Sequence, residues 1–411
     1  MGNFALILIL LGAFAGASQG WSHLKKSQNS TETSLNFDVT KFGAIGDGKT
    51  YDTRAFQSAW NAACAKEVDS VQITVPPGKT FLIYALKFEG PCKSSSITFQ
   101  ILGHIIAPPK SAWRKKETQW LNFLGIDGLT VDGNRVGLID GLGQTWWDKV
   151  KGSSSRPTAM RFSRCNKLQI RGLKYINSQK NHISINECDY ARISGLDIRA
   201  PQTSPNTDGI DISASTNLDI HDCVMATGDD CIAINGGTSD VRIKNIACGP
   251  GHGISIGSLG KGGLHEEVQR INISNCIFTR TQNGVRIKTW QGGSGFAKNI
   301  VFSDITFIEA NNPVIIDQFY CPHLKCSKKA SAVQVSDVTF SGLHGTSSCK
   351  NATVNLSCSE TVPCNNIVLD DVDIESASEQ NSASAHCVNA HGRANTQSPI
   401  VNCLKKNFKR Y

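Results

Sequence analysis

Ile193-Ser194-Gly195-Leu196-Asp197-Ile198, Ile220-His221-Asp222-Cys223-Val224-Met225 and Ile243-Lys244-Asn245-Ile246-Ala247-Cys248 are three copies of one short phrase. An apolar residue is followed by two mostly polar ones, a second apolar residue, a spacer and a third apolar residue. The phrase is read again at Ile126/Leu129/Val131, Ile170/Leu173/Tyr175 and Ile273/Cys276/Phe278. It continues at Phe302/Ile305/Phe307, Val335/Val338/Phe340 and Leu369/Val372/Ile374. From Ile170 onward the steps are 23, 27, 23, 30, 29, 33 and 34 residues. Alternation within each copy is strand-like, Gly, Asn, Asp and Ser fill the spaces, and no 3.6-residue period is sustained. Short strands returning at this irregular interval predict an all-β fold, a single right-handed parallel β-helix. No coil of such a solenoid can bury its inner face alone, so stability comes from stacking. Leucine-rich repeats need a stricter leucine pattern, and the steps are too short for four-stranded propeller blades.

Outside the repeat, Asp52 to Cys64 is the best helix candidate, with Asp52 as its cap and Phe56, Ala59, Trp60 and Ala63 on one apolar face. Such a helix would cover the open end of the solenoid. Leu138 to Lys151 and Ser376 to His386 read as loops. The expected organisation is a signal peptide over residues 1–20, a flexible mature N-terminus over 21–35 and one β-helix domain over 36–411. The leader rests on the apolar run Phe4 to Leu11 followed by Ala15-Gly16-Ala17, too short to span a bilayer.

The chain carries 42 basic and 34 acidic residues, a net charge of +8, and its first twenty residues contain no charged side chain. A mildly basic protein favours acidic partners. Nucleic acid is the weaker choice, because the basic runs at Arg114-Lys115-Lys116 and Lys405 to Arg410 come with no recognised nucleic-acid motif. Fifteen cysteines without any Cys-x-x-Cys pair argue for disulfides rather than metal, with at least one thiol over because the count is odd. Sequons at Asn29, Asn272, Asn351 and Asn355 fit an extracellular route.

The chemistry lies in Asn206-Thr207-Asp208-Gly209, Gly228-Asp229-Asp230-Cys231, Gly251-His252-Gly253 and Arg286-Ile287-Lys288. Asp208 and Asp230 are 22 residues apart, as are Asp230 and His252. Asp208 lies 15 residues past Ile193, Asp230 10 past Ile220 and His252 9 past Ile243. Arg286 follows Ile273 by 13 residues and Tyr320 follows Phe302 by 18. All fall well after the phrase that opens their coil, so they can gather in one groove, although the phase drifts. Clustered Asp208, Asp229 and Asp230 repel one another and push at least one pKa upward. That separates a protonated general acid from a base, the division of labour glycoside hydrolysis needs.

These motifs, in this order, resemble the polygalacturonases of glycoside hydrolase family 28, especially their plant members. Gln318-Phe319-Tyr320 looks like the family's later tyrosine segment, and Phe37 to Ala44 resembles the N-terminal coil of the wider pectin-degrading β-helix group. The resemblance implies hydrolysis of the α-1,4 link of galacturonan with inversion. It casts Asp229 as general acid, Asp208 and Asp230 as the pair that activates water, and His252 as the group that tunes the acid. Arg286 and Lys288 would bind galacturonate carboxylates, and Tyr320 would contact the sugar. Asn206 is counted with these substrate-binding residues, the rival reading being that it orients the turn bearing Asp208. Cys231 and Cys248 resemble a family disulfide.

No cofactor and no metal are expected. The expected partner is polygalacturonate or pectin, with no nucleic acid, no membrane after processing, and a monomeric state. Location is expected to be extracellular, in the plant cell wall. Endo cleavage is favoured from the plant resemblance, with exo cleavage the alternative. A pectate lyase would need Ca²⁺ and an Arg or Lys base, and a wall protein without turnover would have no use for the intact Asp triad.

Overall fold

The structure is a computed structural model and describes residues 35–114, 117–147, 155–322, 326–349, 352–378, 380 and 382–406. The leader, Asn29, Asn351, Lys115-Lys116 and most of the basic tail lie outside these residues. From Ser34 onward the chain is one compact unit. It is a right-handed parallel β-helix in which every paired strand runs parallel to its neighbour. One sheet has eleven strands, from Leu86–Glu89 at one end to Ala385–Val388 at the other. The remaining strands form a second ladder that turns a corner, since Thr216–Ala226 pairs with both Arg192–Ser194 and Asp197–Arg199.

The corner explains the repeated phrase. Its third residue adopts a left-handed backbone: φ is 63° at Gly195, 56° at Asp222 and Asn245, 50° at Asn275 and 54° at Asp304. Gly, Asn and Asp are the residues that tolerate this conformation. Asn275 donates to Asn245 Oδ1 at 2.6 Å and Asn245 to Asp222 Oδ1 at 2.8 Å, so the corners are also tied along the solenoid axis. On the inner side Ile170, Ile193, Ile220, Ile243, Ile273, Phe302, Phe340 and Leu369 stack in register. All are buried. Phe302 and Phe340 stack at 5.1 Å between centroids.

This register corrects the sequence reading at two places. Phe340, not Val335, lies opposite Phe302 and Leu369, so those steps are 38 and 29 residues. Val131, the last residue of its phrase, pairs with Ile170, the first residue of another. The Ile126 and Val335 phrases belong to an earlier corner of the same coil, where Gly128 and Asp337 take the left-handed position. Both corners are a strand, one left-handed residue and a strand, so both produce the same pattern.

The helix forms at Thr53–Cys64 and buries Ala55, Phe56, Ala59, Trp60 and Ala63. Trp60 meets Phe88 at 5.1 Å, in the first strand of the eleven-stranded sheet, and Phe56 meets Phe81 at 5.5 Å. Each ring so covered contributes roughly 1.5–3 kcal/mol. Asp52 does not cap the helix with its side chain. Its carboxylate instead accepts from the amides of Ile45 and Gly46, at 2.7 and 3.1 Å, and pins the preceding loop. The segment read as a loop from Leu138 contains the strand Leu138–Asp140 and the short helix Gln144–Trp147. Disulfides join Cys64–Cys92, Cys231–Cys248, Cys321–Cys326, Cys358–Cys364 and Cys387–Cys403. Cys165, Cys188, Cys223 and Cys276 are buried thiols.

Candidate active site

Five consecutive strands of the eleven-stranded sheet align Ile183, Ile210, Ile232, Ile254 and Val285. Two positions before each stands Asn181, Asp208, Asp230, His252 or Asn283. Backbone bonds carry the register past the strand ends: His182 N–H donates to Asp208 O at 2.8 Å and Gly209 N–H to Asp230 O at 2.9 Å. The offset is therefore constant when counted back from the strand that follows. Counted from the preceding corner, Asp208 stands furthest out because its loop, 200–209, is twice as long as 227–231 and 249–253.

The local sequence holds these loops together. Thr207 is fully buried, and its Oγ1 accepts from Gly228 N–H at 3.0 Å, tying the Asp208 loop to the next one. A Cβ on Gly228 would lie 1.9 Å from Ser204 O, so only glycine fits there. Cys231 follows Asp230 directly, and its disulfide to Cys248 anchors the loop to the strand Thr238–Cys248.

Asp230 is 1 % exposed and fully engaged. Oδ1 accepts from Ser255 Oγ at 2.9 Å and Arg286 Nη2 at 2.8 Å, and Oδ2 accepts from Lys288 Nζ at 2.8 Å. Ser255 Oγ also accepts from Arg286 Nε at 3.0 Å. The two cations expected to face substrate thus first neutralise a buried carboxylate. Each keeps further N–H groups, because an ammonium carries three donors and a guanidinium five.

Asp229 is placed differently. Its Oδ1 accepts from Asp230 N–H at 2.8 Å and lies 3.0 Å from His252 Nδ1, while Oδ2, among the described residues, meets Asn206 Nδ2 alone, at 3.3 Å. Burial alone would lift this carboxyl, but the His252 hydrogen bond and the nearby His252 and Lys288 charges outweigh it and hold the pKa below the ordinary value. Asp208 goes the other way. Burial, then the charges of Asp211, Asp229 and Asp230, push its pKa well above the usual carboxylate range, against the pull of Lys288. Of Asp208 and Asp229 it is Asp208 that is raised, with burial the main cause and the neighbouring carboxylates adding to it. Tyr320 is half-buried, with Lys288 Nζ 5.4 Å above its ring and Trp290 edge-on at 5.4 Å.

Asp211, its donor Asn181, His182 and Arg156 also belong to this cluster and were silent in the sequence. Asp211 accepts from Asn181 Nδ2 at 2.6 Å, and burial is the main cause that pushes its pKa up to about 7. Its strand register leads through Ala233 to Ser255 and Arg286, which is the signal an alignment on strands provides. His182 is buried, with Nδ1 2.9 Å from Asp208 O and Nε2 accepting from Ser178 N–H at 3.3 Å. Arg156, 5 % exposed, reaches in from a loop two strands earlier. Oxygen or nitrogen atoms of Asp229, Asp230 and His252 lie within 4.8 Å of one another. With both Asp230 oxygens already held by cations, a divalent ion there would meet repulsion, and the set reads as a hydrogen-bonded acid cluster.

An acid cluster on a parallel β-helix with one carboxyl raised beside one held low is the equipment of a glycoside hydrolase. The model of glycosyl hydrolases family 28 matches residues 64–398, and the chain belongs to that family. It is 50% identical over 380 residues to a probable polygalacturonase of Arabidopsis thaliana, covering 91% of this chain and 82% of that protein. It is 41% identical over 361 residues to polygalacturonase-2 of Solanum lycopersicum, covering 86% and 78%. Among solved structures, an endo-xylogalacturonan hydrolase from Aspergillus tubingensis shares the fold with a TM-score of 0.75 at 24% identity, over 90% of this chain and 98% of that one.

Proposed function

We propose that the protein hydrolyses the α-1,4 bond between galacturonate units of demethylated pectin, within the chain and with inversion. The observation that carries this reading is the split between Asp208, raised, and Asp229, held low, beside an Asp230 locked into two cations. The unengaged N–H groups of Arg286 and Lys288 would take sugar carboxylates at the cleavage point, with Tyr320 against the ring. Entry of an anionic substrate favours protonation of Asp229, and the proton held by Asp208 moves to it. That one transfer makes Asp229 the acid and frees Asp208 as base. Asp229 then protonates the leaving oxygen while Asp208, with Asp230 beside it, takes a proton from the attacking water. The bond to the anomeric carbon breaks as the water oxygen bonds from the opposite face. His252 holds Asp229 Oδ1, so that Oδ2 carries the proton. All proposed site residues come from one chain, so a monomer suffices.

The relatives' names and the basic balance of the chain support an acidic wall polysaccharide as substrate. Among the described residues no helix is long and apolar enough to cross a membrane, and secretion to the cell wall is part of this reading. The test is reducing-end release from polygalacturonate by Asp208→Asn and Asp229→Asn. Loss of turnover in both, with the fold intact, supports the mechanism, and retention in either removes it. A ladder of oligomers from a long substrate means endo action, and monomer alone means exo. The raised pKa of Asp208 favours a second reading with the acid and base exchanged. A galacturonide with an activated aryl leaving group decides, since only the variant lacking the acid is rescued by it.

A further inference from the structure

Arg156 has no assigned part in the reaction, yet its side chain is buried where its own loop meets those of Gln179 and Asn206 beside the acid cluster. Nη1 donates to Gln179 O at 2.8 Å and Pro205 O at 2.5 Å, and Nη2 donates to Asn206 Oδ1 at 2.7 Å. Asn206 in turn presents Nδ2 to Asp229 Oδ2 at 3.3 Å, from a backbone held at φ 51°. We propose that Arg156 is a positioning residue for the cleavage step, fixing the Asn206 amide so that only its nitrogen faces the Asp229 carboxyl.

The argument is one of donors and acceptors. A guanidinium can only donate, so the Asn206 side-chain oxygen must point at Arg156 and the amide nitrogen at Asp229. Asp229 Oδ1 already meets Asp230 N–H and His252 Nδ1, leaving Oδ2 as the oxygen that can carry a transferable proton. An amide nitrogen beside Oδ2 holds the carboxyl plane without competing for that proton. Were the amide reversed, its oxygen would accept the Asp229 O–H, and the proton would be held by the protein instead of passing to the leaving oxygen. Loss of Arg156 permits that reversal and removes a positive charge from the field of Asp208 and Asp229. Both effects raise the Asp229 pKa. The other charged groups around Asp229 are His252, Lys288, Asp208, Asp211 and Asp230 with its partner Arg286; all stay in place, and Asp208, which loses the same Arg156 charge, shifts upward with Asp229.

The inference rests on Asp229 as the acid, so Asp229→Asn is assayed alongside. If that variant keeps turnover, the function reading fails whatever Arg156 does. The test is the pH profile of kcat and kcat/KM on oligogalacturonate for Arg156→Met and Arg156→Lys, with thermal unfolding as the fold control. Arg156→Met is expected to lower kcat about tenfold, with KM nearly unchanged, and to move the alkaline limb to higher pH. Arg156→Lys keeps the charge but cannot reach all three acceptors, so the limb moves the same way by less. Lys is also the variant that decides if Met fails to fold. A folded variant whose alkaline limb stays in place, or moves to lower pH, overturns the proposal.

Discussion

Lys288 Nζ donates to Asp230 Oδ2 at 2.8 Å although 58 positions separate the two residues, and both side chains are withdrawn from water. The pair spans two coils of the solenoid, so site and scaffold share one set of bonds. Removing one partner of a buried pair strands the other charge. Lys288→Met leaves Asp230 to Arg286 and Ser255 alone, and is expected to cost about 3 kcal/mol. Urea unfolding of the variant measures it.

Trp60 closes the first coil against Phe88 and Phe123. Trp60→Ala opens a cavity between helix and sheet and is expected to destabilise the protein by about 3–5 kcal/mol. Because the site lies several coils away, kcat of the folded fraction should stay close to that of the parent protein. Denaturation midpoints and activity below the transition read the two effects separately.

The Cys231–Cys248 bridge holds the residue next to Asp230. Replacing both cysteines by serine is expected to cost about 3 kcal/mol, the figure for a closed loop of this length. Activity should fall further than fold loss explains, because the Asp229-Asp230 loop loses its anchor. Thermal unfolding and kcat on the double variant test this.

His182 and Asp211 give stability opposite dependences on pH. Burial depresses the His182 pKa to about 4, so its contribution is complete above the unfolded value of 6.5 and is lost as pH falls towards 4. The Asp211 pKa is raised from 3.8 to about 7, so its contribution is present below 3.8 and is lost as pH rises through 7. Unfolding free energies between pH 4 and 7 should therefore lose an upward slope in His182→Gln and a downward slope in Asp211→Asn.

The solenoid was legible because each coil must repeat one physical solution, an inward apolar triplet around a left-handed residue. Gly195, Asp222 and Asn245 mark that residue in plain sight. What the phrase hides is that two corners per coil use it, which shifted the Val335 and Ile126 copies into the wrong column. The ordered motifs disclosed Asp208, Asp229, Asp230, His252, Arg286 and Lys288, and these do converge. Their phase looked irregular chiefly because a longer loop precedes Asp208, whereas the two-residue offset before Ile210, Ile232 and Ile254 is regular. Arg156 left no trace, since its three acceptors come from loops distant in sequence. Asp52 misled because a helix-start aspartate reads as a cap until the loop that competes for it is seen.

An acid and a base acting from opposite faces of the sugar have one direct signature, the configuration of the first product. Proton NMR of the new reducing end, recorded within the first minutes of polygalacturonate hydrolysis, should show the β anomer before mutarotation mixes the two. An initial α anomer would mean a covalent sugar–enzyme intermediate and would contradict the roles given to Asp208, Asp229 and Asp230.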